Sequence, residues 1–252
     1  MFSKNAKVDT ELNRAVERLM KASGKGQILP IVQLGEPVLR QRAVEYDGQL
    51  SRRTLHKLIE AMRATMLAAP GVGLAAPQIG LGLAFAVVED HVRDVFDEDD
   101  DGTDDDGTDD KGDKGGETDP DASVDSDDDF DDPREIAEFP FHVIINPSYE
   151  PIGEQTRSFF EGCLSFEGYQ AVRRRWLDIV ARWQDEDGNR HEERLHGWPA
   201  RIFQHETDHL SGEVYIDKAE IRSLSSDENL VEYWAEDPVP IAAAHELGFP
   251  VD

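Results

Sequence analysis

The stretch RIFQHETDHLSG, Arg201 to Gly212, holds two histidines four residues apart with a glutamate directly after the first. On an α-helix, positions i and i+4 share a face with Cβ atoms about 6 Å apart. His205 and His209 can therefore both reach one metal ion at about 2.0–2.1 Å. Glu206 projects about 100° further round the axis, where it can face the same cavity without joining the ligands. A metal-assisted hydrolysis needs these parts, two imidazole donors and a nearby base. The plainer reading is a polar helix face that happens to carry two histidines. Asp208 either orients a histidine from behind or is an ordinary ion-pairing acid.

A catalytic ion also needs a third protein ligand and an open position for water. The one cysteine of the chain, Cys163, lies in EGCLS, Glu161 to Ser165. A lone cysteine is commonly a small buried hydrophobe. Here Gly162 allows a close backbone approach, and a thiolate would complete a Cys/His/His set. A third segment, GVGLAAPQIG from Gly71 to Gly80, gathers small residues around Pro77 and Gln78. It reads either as a helix-to-strand turn with glycines where φ is positive, or as backbone lying along an extended substrate.

These segments need elements to position them. Apolar spacing predicts an amphipathic helix over Val8–Ser23 ended by Gly24, and a second over Ser51–Leu67 stopped by Pro70-Gly71. Leu81–Glu89 and Phe141–Pro147 read as strands. Alternation from Leu177, a turn at Asp187-Gly188 and a return through RHEERLHG predict a hairpin. Trp198-Pro199 opens the histidine helix and Gly212 closes it. From Arg222 onward the chain is polar, with a short helical stretch.

The charge of −28 is uneven: Asp94–Pro133 carries 21 acidic residues and 2 lysines, so −19 sits in 40 residues and −9 in the other 212. That tract has too few apolar side chains to offset the entropy of ordering, and reads as a disordered insertion. Asp97, Asp99, Asp101 and Gly102 match the start of a calcium loop, but its twelfth position is Thr108 where a bidentate glutamate is needed; a solvated tract is the reading. The only basic run, Arg173–Arg175, is short, which argues against a nucleic-acid face. One cysteine excludes an intrachain disulfide and fits a reducing compartment. With no apolar leader and no long apolar run, a cytoplasmic protein without a membrane segment is expected.

GVGLAAPQIG, EGCLS and QHETDH, in that order, resemble the three signature motifs of the peptide deformylases. The similarity runs from about Ile28, through LGEPVLRQRA, to Val214–Ala219, interrupted by the acidic tract. The resemblance implies an α+β fold, with the metal-binding helix packed against small antiparallel sheets and Cys163 approaching from the sheet side. It divides the chain into an N-terminal helical extension (1–27), a catalytic domain (28–222) interrupted at 94–133, and a C-terminal extension (223–252). The implied reaction is hydrolysis of the N-formyl group from formyl-methionyl nascent chains, with release of formate.

By the same resemblance Cys163, His205 and His209 hold one ion and Glu206 is the general base. The Gln78 amide and the Leu164 backbone N–H stabilise the oxyanion, and Gly73 hydrogen-bonds the substrate backbone. Val72, Glu161 and Ile202 correspond to positions near the methionine pocket. The ligand set accepts Fe(II), Zn(II), Co(II) or Ni(II); family usage makes Fe(II) the expected ion. A monomer that meets the ribosome transiently is expected. Two departures from the family pattern, Glu167 where a proline is common and Gln170 where some members carry a substrate-contacting arginine, bear on substrate preference. The rival readings are another HExxH peptidase, which has no use for EGCLS or GVGLAAPQ, and a non-catalytic acidic interaction protein.

Overall fold

The computed structural model describes residues 8–24, 28–91, 132–236 and 238–251. The acidic tract, with the calcium-loop positions in it, therefore lies outside the described residues apart from its last two positions, as do residues 25–27.

Helix α1, Thr10–Ala22, starts at Asp9, whose carboxylate accepts from the backbone N–H of Glu11 and Leu12, as an N-cap should. It buries Val16 against α2, Arg52–Ala68, which is capped by Ser51. Five strands then form an antiparallel sheet in the order β1-β2-β3-β6-β7: β1 Gly73–Ala75, β2 Phe85–Asp90, β3 Phe139–Pro151, β6 Asp178–Gln184 and β7 Arg190–His196. Between β3 and β6 the chain makes a second, small sheet from β4, Thr156–Cys163, and β5, Phe166–Trp176. Its third strand is β8, Ser225–Ser226, paired with Tyr169 and Gln170.

Helix α3, Gly197–Leu210, carries the two histidines and packs Ala200, Ile202, Phe203 and Leu210 onto Ile144, Ile179, Ala181 and Trp183 of the large sheet. Gly212 follows it with φ of 81°, and an added Cβ there would stand 2.9 Å from the Arg40 backbone. The C-terminal segment forms two short helices, α4, Asp227–Tyr233, and α5, Ile241–Leu247. Ala243, Ala244 and Phe249 bury against Val172 of β5, so this segment packs on the small sheet. The antiparallel sheets with a helix laid on them make the fold α+β. Among the described residues no helix is long and apolar enough to cross a membrane.

The β4–β5 hairpin is absent from the sequence reading. Its second strand reads FEGYQAVRRRW, and the arginines hide the apolar alternation. Arg173 and Arg175 are buried while Arg174 is exposed, the two-residue period of a strand written in charges.

Candidate metal centre

Two elements meet at the centre. Helix α3 presents His205 and His209 one turn apart, their ring centroids 5.0 Å from each other. The end of β4 brings Cys163 across from the small sheet, and one ligand atom from each of the three lies within 4.8 Å of the others. Sγ of Cys163 is 3.2 Å from Nε2 of His209. His205 turns its Nδ1 to Oε2 of Glu161 at 3.1 Å, which leaves Nε2 toward the cluster. A carboxylate behind an imidazole is the usual device for fixing ring orientation at a metal.

The electrostatics fit a cation. Burial opposes a charge on His205, yet its hydrogen bonds to Cys163 and Glu161 raise its pKa to about 10. Burial, reinforced by His205 and Arg175, holds His209 well below its ordinary value, so it stays a neutral donor. One thiol and two imidazoles with converging ligand atoms are a soft and borderline donor set suited to a transition-metal ion, and the cluster fits a bound metal ion.

Glu206 is 3% exposed and its Oε2 has no hydrogen-bond partner. Burial, the main cause, pushes its pKa up to about 7. Gly73 of β1 lies directly against this carboxyl group. Gln78 is buried; its Oε1 accepts from Ala75 N–H at 2.7 Å, and its Nε2 points at Sγ of Cys163 from 3.6 Å. Leu164, in the tight turn between β4 and β5, accepts at its carbonyl from Gln33. A cleft of about 1040 Å³ opens over these groups, with Val72, Gly73, Gln78, Leu164, Ile202 and Glu206 among its lining residues. His209 stands behind it.

Glu161 also borders the cleft, but its carboxylate is committed elsewhere. It takes two hydrogen bonds from Arg175, at 2.6 and 2.9 Å, and another from Arg201. Burial by itself would raise its pKa; Arg175, His205 and Arg201 outweigh that and hold it well below the usual carboxylate range. Arg175 continues to Asp208 at 2.7 Å, and Arg173 joins Asp208 to Glu213. Asp208 thus braces arginines and Tyr149 rather than a histidine, which corrects one of its two readings. The three arginines were missed as site residues; the alternation of β5 was the available signal for two of them. The glycines of GVGLAAPQIG also differ from the turn reading: only Gly80 has a positive φ, whereas Gly71 and Gly73 are small because Leu164 and Glu206 press on them.

Comparison with known proteins agrees with this geometry. The family profile described as Polypeptide deformylase matches residues 28–224. The chain is 67% identical over 249 residues to a peptide deformylase of Bifidobacterium adolescentis, covering 99% of both. It is 44% identical to peptide deformylase 1 of Streptomyces coelicolor, over 94% of this chain and 93% of that one. Among solved structures it resembles the peptide deformylase of Thermotoga maritima, at 31% identity and TM-score 0.53, over 76% of this chain and 97% of that one. A class I type b enzyme of Acinetobacter baumannii, solved with Met-Ala-Ser bound, gives 25% identity and TM-score 0.57, over 76% and 98%. The chain belongs to the peptide deformylase family, and its activity is that family's: hydrolytic removal of the N-formyl group from nascent polypeptides.

Proposed function

We propose that Cys163, His205 and His209 hold one divalent ion, Fe(II) in the cell with Zn(II), Ni(II) or Co(II) as substitutes, and that Glu206 is the base that works beside it. The observation that carries this reading is the buried, unpartnered Oε2 of Glu206, in a peptide-sized cleft next to the Cys/His/His cluster. A bound ion supplies Lewis acidity to the formyl carbonyl and to water.

The chain's own groups do the rest. Glu206, with a pKa near neutrality, takes the proton from the attacking water and hands it to the departing amine. The Gln78 amide, held by Ala75, donates to the oxyanion together with the Leu164 N–H; preplaced donors of this kind cost no reorganisation during reaction. Gly73 offers backbone of β1 to the substrate chain, and Val72 and Ile202 contribute apolar wall for the methionine side chain. Glu161 acts through His205 as a positioning residue. The relative solved with Met-Ala-Ser bound supports a peptide in the corresponding cleft.

The catalytic unit is residues 28–222 with 94–133 inserted, and 1–27 and 223–252 are extensions. The enzyme works as a cytoplasmic monomer that meets its substrate transiently at the ribosome. The direct test is formate release from formyl-Met-Ala-Ser by protein reconstituted anaerobically with Fe(II), or with Ni(II) in air. Chelation should abolish it and added ion restore it; formate production indifferent to chelation would overturn the metal assignment.

A further inference from the structure

The C-terminal segment reaches the active site. Pairing of β8 with Tyr169 and Gln170 of β5 brings the next residue, Asp227, to the wall of the cleft. There Oδ1 of Asp227 accepts from Nε2 of Gln170 at 3.2 Å. Gln170 itself packs over Gly162, where an added Cβ would lie 3.3 Å from its Cγ, and Gly162 immediately precedes Cys163. Asp227 is therefore one glutamine side chain away from the backbone beside the metal cluster. Glu167, in the β5 end of the same hairpin, lines the same cleft, and both acids are exposed.

No arginine or lysine on the wall pairs with them. Among the described residues lining the cleft, Arg201 is the one arginine or lysine, and it is buried and bound to Glu161. Neither Glu167 nor Asp227 makes an ion pair with a described residue. The same cleft holds the buried, unpartnered Oε2 of Glu206, so a peptide seated with its formyl group there shares the cleft with these two carboxylates.

We propose that Asp227 and Glu167 form an acidic subsite that selects formylated chains carrying lysine or arginine shortly after the methionine. This rests on the deformylase reading of the cleft and adds a preference to it. Asp227 has a plainer role as a first-turn acid of α4, which accounts for helix stability but predicts no discrimination among substrates. The strongly acidic chain as a whole also attracts cations, and a local subsite differs from that general field by depending on two particular side chains.

The experiment compares kcat/KM for formyl-Met-Ala-Lys, formyl-Met-Lys-Ala, formyl-Met-Ala-Glu and formyl-Met-Ala-Ser, all C-terminally amidated, on metal-loaded full-length protein. One exposed ion pair is worth roughly 0.2–1 kcal/mol, so the better lysine peptide should exceed the glutamate peptide by about 1.4- to fivefold at low salt. The difference should lie in KM and shrink as salt screens it. In the isosteric Asp227→Asn/Glu167→Gln variant the lysine-to-glutamate ratio should fall toward one. A ratio near one in the unmodified protein, which needs no variant to measure, overturns the subsite. So does an unchanged ratio in the double variant, which would assign the preference to the general field. Absence of formate from every peptide overturns the deformylase reading and the subsite with it.

Discussion

The carboxyl group of Glu206 lies over the α-carbon of Gly73: a Cβ at position 73 would stand 2.2 Å from Oε1 and 2.8 Å from Cγ. A methyl group there cannot coexist with the present position of the base. Gly73→Ala should push the carboxyl aside while leaving the ligands in place. Misplacement of a catalytic group by an ångström can cost about 10²-fold, so kcat should fall on that order with metal content unchanged. A Gly73→Ala protein with undiminished kcat would mean that Glu206 is not the base.

Glu206→Gln separates chemistry from folding. The amide keeps the shape but accepts no proton, and turnover should drop by about 10²–10⁴-fold with the metal retained. In the demetallated protein the same change should show a pH signature. Burial raises Glu206 from 4.5 to about 7, so its contribution to stability is full below the lower value and is lost as pH rises through the upper one. The variant has no such loss. Urea midpoints should therefore favour the variant more at pH 8 than at pH 5; an equal difference at both would show that the buried carboxyl does not titrate in this window.

Glu161→Gln removes the anion shared by His205, Arg175 and Arg201. Breaking a buried ion pair on one side typically costs about 3–5 kcal/mol, and loss of an outer partner about 10–100-fold in metal affinity. Chelator competition and urea unfolding should both move. If metal affinity holds while stability falls, Glu161 braces the arginines and does not orient the imidazole.

Cys163→Ser should weaken metal retention, because a hydroxyl ionises far less readily than a thiol and is a poorer ligand for soft ions. The unmodified iron form should lose activity under peroxide, since thiolate and Fe(II) are both oxidisable. A stable, fully active Cys163→Ala protein would take this side chain out of the site.

Chemistry was more legible in the sequence than architecture. His205, Glu206 and His209 sit at helical spacing, and α1, α2 and the β6–β7 hairpin announce themselves by period and by turn residues. The β4–β5 hairpin does not, because Arg173 and Arg175 are buried by pairing with Glu161, Asp208 and Glu213 rather than by being apolar. Burial of charge depends on partners far along the chain, which a local pattern cannot contain. Gly73 was singled out for its backbone, but its smallness has a second cause, a carboxylate 133 positions away. The docking of α5 on Val172 escaped notice for a related reason: a seven-residue helix is too short to show a period.

Strands β2 and β3 are hydrogen-bonded neighbours, with Asp90 opposite Phe139 in register. The chain therefore departs from and returns to the body at adjoining points, and doubling the length of what lies between adds only about 0.6 kcal/mol of closure entropy. This makes the β2–β3 connection the natural internal port of the molecule. A fluorescent reporter, an affinity handle or a tether spliced there would leave α1 seated on α2 and α5 seated on the small sheet, neither of which a terminal fusion can promise.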